Sequence, residues 1–212
     1  MNILRIALIL IFVPTLTWGQ SNLDYKLYSK VIEDYIAEGI KNDVATSEVV
    51  IMTKYIPTEN EVSFYGKEFL KEDDKIINNV LFYDEVKIKL FRDEEIRKGI
   101  ISLENKFFET PVLEANKFIL EPKVIAISNK KFKSYFKTLF GRRILKGWKK
   151  FYKKYSGAHG IFEFSKVIYE GDYALFYVGR HCNGLCGSGD LVIMKKSNDK
   201  WDIVTYLNIW MA

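Results

Sequence analysis

Both cysteines of this chain fall in one short stretch, His181-Cys182-Asn183-Gly184-Leu185-Cys186-Gly187-Ser188-Gly189, together with one of its two histidines. Three chemistries fit those residue types. The first is a disulfide: residues four apart at opposite ends of a reversing loop can reach the Cα separation of about 4.4–6.8 Å that the bond needs. It would close a short ring and fix the loop's shape rather than hold the domain. The second is a reactive thiol, which requires a base and a lowered pKa. His159 could approach from a neighbouring element, and Gly184, Gly187 and Gly189 could let backbone N–H groups converge on an oxyanion. The third is a zinc site from Cys182, Cys186, His181 and His159, which has the right ligand count without a familiar spacing. Two inert thiols are the plain alternative. Cys-x-x-x-Cys is not the dithiol redox spacing, and a phosphate loop would need a helix after it where a strand is expected here. Read as turn chemistry, the same glycines supply positive φ. Glu163 and Asp190, which flank the stretch, read as ordinary strand-end charges.

The other chemically suggestive region is basic and aromatic. No Asp or Glu occurs between Pro122 and Phe162, whereas Lys and Arg occur twelve times there. From Gln20 to Glu121 acids outnumber bases by 21 to 14, so a net charge of +5 conceals two segregated halves. Lys130 to Lys154 could touch an anionic envelope surface, with Trp148, Lys149, Lys150 and Lys153 as candidate contacts. The aromatic stripe of that region reads first as a core face, because such stripes usually pack on the sheet, with its lysines solvated or paired to the acidic half.

Elements to position these residues follow from periodicity. Apolar residues at three- and four-residue steps predict helices over Asn22 to Ile40, Asp93 to Phe107, a stretch opening at Ser128-Asn129, and Arg142 to Tyr155. Strands are expected over Glu48 to Ile56, Val80 to Phe91 and Lys123 to Ser128, with Val112 to Leu120 short or extended. The C-terminal part reads as a four-stranded antiparallel meander: Gly160 to Tyr169, Tyr173 to His181, Leu191 to Lys196 and Trp201 to Met211. Turns are expected at Glu170-Gly171-Asp172 and Ser197 to Lys200. In the last strand Trp201, Ile203, Thr205, Leu207 and Ile209 should face one way, and Val204, Tyr206 and Trp210 the other.

The N-terminus reads as a secretory signal peptide over residues 1–19. Arg5 precedes the apolar run Ile6 to Val13, and Thr17 and Gly19 stand before the expected cut. The run is about half the roughly 20 residues of a membrane span. A secreted or periplasmic protein is therefore expected, in a compartment where an oxidised cysteine pair persists, and nucleic acid is not an expected partner. Residues 20–212 suit a single domain.

Gly147-Trp-Lys-Lys-Phe-Tyr-Lys-Lys-Tyr155, Gly160-Ile-Phe-Glu-Phe-Ser165, Ala174-Leu-Phe-Tyr-Val178, the Cys182 to Gly189 stretch and Lys200-Trp-Asp-Ile203 resemble a group of uncharacterised exported proteins of Gram-negative bacteria. The resemblance covers roughly the last 70 residues. It implies export and an order of elements, and supplies no catalytic residues. The helix followed by a meander is also similar to cone-shaped folds of the nuclear-transport-factor-two type.

These readings converge on an α+β fold, helices on one face of a mostly antiparallel sheet, in an exported module that binds an unknown protein or envelope ligand. No catalytic set, metal site or cofactor is expected in it. His159, His181 and the Trp148 helix would shape the contact, with the Cys182–Cys186 loop as its rim. The rivals are a secreted thiol- or zinc-dependent hydrolase at that loop, and an adaptor for anionic surfaces through residues 130–154.

Overall fold

In the computed structural model, residues 21–40, 46–56, 89–90, 92–107, 109–136 and 144–212 are described. The expected signal peptide lies outside them, as does most of the strand expected over Val80 to Phe91, whose Lys89 and Leu90 are helical.

Helix α1 (Asn22–Ile40) opens with a reciprocal cap. Ser21 Oγ accepts from the Asp24 N–H at 3.1 Å, and Asp24 Oδ2 accepts from the Ser21 N–H at 3.2 Å. Helix α2 (Glu94–Lys106) is capped by Asp93, whose carboxylate accepts from the Glu95 and Ile96 N–H groups. Helices α3 (Asn129–Tyr135), capped by Ser128, and α4 (Ile144–Lys154) follow. A single 3₁₀ turn at Ala115–Lys117 interrupts the extended run from Val112 to Leu120.

The strands are β1 (Glu48–Met52), β2 (Lys123–Ile127), β3 (Ala158–Phe164), β4 (Ile168–Glu170), β5 (Tyr173–Asn183), β6 (Cys186–Ser197) and β7 (Lys200–Met211). They form one sheet ordered β2-β1-β3-β5-β6-β7, with β4 beside β5. The C-terminal strands pair antiparallel, and β1 runs parallel to both β2 and β3. The fold is α+β with the expected meander, whose first strand divides into β3 and β4. Asn198 and Asp199 take φ of 49° and 61°, the left-handed pair that turns β6 tightly into β7.

Helices cover both faces of this sheet, which corrects the expectation of one. Tyr28, Val31 and Ile32 of α1 pack with Phe162, Phe164, Phe176, Val178, Val192 and Met194. On the opposite face α2 packs with Leu175, Tyr177, Leu191 and Ile193. There too Trp148 and Phe151 of α4 cover Val50, Met52 and Ile161. Strands buried on both sides read as unbroken apolar runs; Tyr173 to Val178 is one, buried throughout.

Bulges reset the phase of β7. Ile193 pairs with Thr205 but Met194 with Ile203, leaving Val204 as the extra residue; Gly189 pairs with Trp210 but Asp190 with Asn208, leaving Ile209. The expected alternation therefore fails. Trp201, Ile203 and Tyr206 lie against the α1 core, and Val204, Leu207 and Ile209 against the α2 core. The second bulge turns Trp210 to that same α2 side.

Candidate functional site

Cys182 and Cys186 form a disulfide across the tip of the β5–β6 hairpin, with Cα atoms 5.2 Å apart. Asn183 pairs with Cys186, so Gly184-Leu185 is the turn itself, and Cys182 is the bulged residue beside it. Tyr152 of α4 donates to the Cys182 carbonyl at 2.6 Å, tying the tip to the helix. Joined sulfurs are neither thiolate nucleophile nor thiolate ligand, so the reactive-thiol and zinc arrangements are not those of this structure. The two histidines are also parted, since His159 lies on the α1 side of the sheet and His181 on the α4 side. No group of three or more His, Cys, Asp or Glu side chains among the described residues is placed to hold a metal.

Gly184 at the turn lacks the positive φ expected of it, as do Gly187 and Gly189, which belong to β6. The role of the latter two is space. A Cβ on Gly189 would overlap the Trp210 indole, which also lies over Gly187. The indole crosses the strand to stack on His181 with ring centroids 5.2 Å apart, and its N–H donates to the Tyr177 hydroxyl at 3.1 Å. His181 Nε2 lies 2.7 Å from Glu163 Oε1. Glu163 is buried, which corrects its reading as a strand-end charge. Asp190 is buried too, on the opposite face, where it accepts from the Tyr35 hydroxyl and the Asn208 amide. Burial and the Asp190 carboxylate both push the Tyr35 hydroxyl pKa well above the ordinary tyrosine range.

Trp148 is core. It is 6% exposed and packed among Phe132, Phe136, Phe151 and Tyr152, so it is not the surface contact expected of it. The lysines of its helix behave otherwise. Lys146, Lys149, Lys150, Lys153 and Lys154 are all exposed. None of them makes an ion pair with another described residue, so the expected pairing to the acidic half is not seen here.

Beside these lysines lies a feature the spacing did not reveal. Leu185, at the hairpin turn, is 90% exposed, and Ile144 and Leu145, which open α4, are 42% and 59% exposed. A Cβ built on Gly184 would lie 3.4 Å from Ile144 Cγ2 and 3.9 Å from Leu145 Cδ2, so the turn and the helix end meet. An apolar residue at a turn was the one sequence signal available.

Compared with family models, curated proteins and solved structures, the chain finds no match. The site is therefore read from its own geometry.

Proposed function

We propose that this chain is an exported, non-enzymatic module that docks on an anionic lipid surface of the cell envelope. The observation that carries the reading is the exposed apolar tip formed by Leu185, Ile144 and Leu145 at the start of a helix whose exposed lysines make no ion pair with another described residue. Apolar side chains that stay exposed beside a cationic helix face match an interfacial contact: the apolar groups enter the headgroup boundary and the lysines meet lipid phosphates. Each lysine near such a surface is worth ~1 kcal/mol, and sinking a leucine side chain adds about 1.5–3 kcal/mol. The disulfide and the Tyr152 hydrogen bond support this use, because a tip held in shape loses less conformational entropy on docking. Export rests on Arg5, the Ile6 to Val13 run and the small residues after it.

Co-sedimentation with vesicles tests the proposal. The purified protein should bind vesicles containing phosphatidylglycerol, ignore pure phosphatidylcholine, and release as salt rises, because exposed charges are screened. Leu185→Asp and the pair Lys149→Glu, Lys150→Glu should each reduce binding about tenfold or more. Absence of binding to the anionic vesicles at low salt overturns the reading.

A further inference from the structure

On the α1 face, a small cleft open to solvent is lined by Tyr35 and Ile36 of α1, the start of β1, and His159, Gly160, Phe162 and Arg180. A bulge builds it. Glu48 pairs with Ala158 and Val50 with Ile161, so one residue of β1 faces two of β3, His159 and Gly160. Gly160 takes φ of 109°, and any side chain there would overlap the His181 carbonyl. This backbone is open only to glycine, and it turns His159 to the side of Phe162 and Arg180. Bulges commonly re-aim a side chain in this way beside a site.

Two polar groups at the cleft have unused capacity. Arg180 spends its Nε on the His159 carbonyl at 3.3 Å and lays its guanidinium 6.0 Å from the centre of the Tyr35 ring. No carboxylate among the described residues pairs with it. Thr46 Oγ1 is buried without a hydrogen-bond partner among the described residues. A fixed guanidinium fork matches a carboxylate, and a buried hydroxyl without a partner is costly unless something supplies one. Phe162 and Val49 offer an apolar wall. Glu48 also lines the cleft, its Oε2 buried without a hydrogen-bond partner among the described residues, and it repels a second negative charge.

We propose that this cleft binds a small monocarboxylate, with its carboxylate on the free edge of Arg180 and the Thr46 hydroxyl and its apolar body against Phe162 and Val49. Amide chemical-shift titration of the purified protein with sodium butyrate, at constant ionic strength, tests it. Saturable shifts confined to Gly160, Phe162, Arg180 and their neighbours are expected. Arg180→Gln should weaken binding about tenfold or more, the loss of a charge-assisted pair. Thr46→Val leaves the guanidinium in place and should weaken binding by a smaller factor, so a folding defect in the first variant does not leave the question open. Shifts that never saturate, undiminished affinity in both variants, or tighter binding of n-butylamine or inorganic phosphate than of butyrate overturn the site.

Discussion

The glycines of the Cys182 to Gly189 stretch show how one residue type serves different ends a few positions apart. Gly184 turns the chain, whereas Gly189 makes room for an indole. An aromatic ring laid across a strand glycine recovers packing that the missing side chain forgoes. Gly189→Ala should therefore displace Trp210 and cost about 1–3 kcal/mol, the usual penalty for overpacking. Urea denaturation followed by tryptophan fluorescence measures both, and an unchanged midpoint with native emission would refute that account. The same ring explains how Glu163 is tolerated among apolar strand residues. The carboxylate is shielded by the sheet and answered by His181, itself held flat by Trp210. Neither partner was visible in sequence, because Glu163 and His181 meet only when β3 and β5 pair antiparallel in one register.

At the scale of elements, the β5–β6 hairpin is stable along its length and needs the disulfide only at its end. Ten residue pairs hold it from Tyr173–Lys195 to Asn183–Cys186. A ring as short as Cys182 to Cys186 contributes about 2 kcal/mol through chain entropy. Replacing both cysteines by serine should lower stability by that amount, preserve the far-ultraviolet circular dichroism, and weaken vesicle binding through a looser tip. Global unfolding of the double variant would show that the bond holds more than the turn. Helix α2 offers a second reading at this scale. Asp93 caps it and its apolar face covers Tyr173 and Leu175, so Asp93→Ala should cost about 1 kcal/mol, seen as a lower urea midpoint with an unchanged slope. The start of α2 at Asp93 was legible in sequence because what opens a helix is local, here an N-cap hydrogen bond. The bulges in β7 were not, since a bulge is defined only against a partner strand.

The whole molecule is rich in tyrosines whose hydroxyls are held protonated. Burial pushes the Tyr155 hydroxyl up to about 12, with Tyr135 adding to the shift. Burial first, and then the carboxylates they donate to, raises Tyr35, Tyr169 and Tyr206 as well. The sign follows from linkage. The unfolded chain loses these protons near pH 10 and the folded chain only at higher pH, so between the two values the unfolded state binds fewer protons and stability falls as pH rises. Stability should thus be intact below about pH 10 and decline steeply above it, with tyrosinate absorbance appearing together with loss of structure. Tyrosinate forming freely in a chain that stays folded would contradict this.

Sequence alone determined the local features: which segments are helix and which strand across most of the described chain, the helix starts at Asp93 and Ser128, the turn at Asn198-Asp199 and the segregated charge. Each depends on residues within a turn or two of one another. Tertiary structure decided everything that requires a partner distant in the chain. It placed helices on both faces of the sheet, ran β1 parallel between β2 and β3, buried Glu163 and Asp190 on opposite sides, and turned Trp148 inward. It also left Leu185, Ile144 and Leu145 exposed together, although Gly184 at the turn lies 40 positions beyond Ile144 in the chain. Periodicity reports that a residue has an apolar or polar side, but which surface that side meets is fixed only by register, bulges and the packing of elements far apart in the chain.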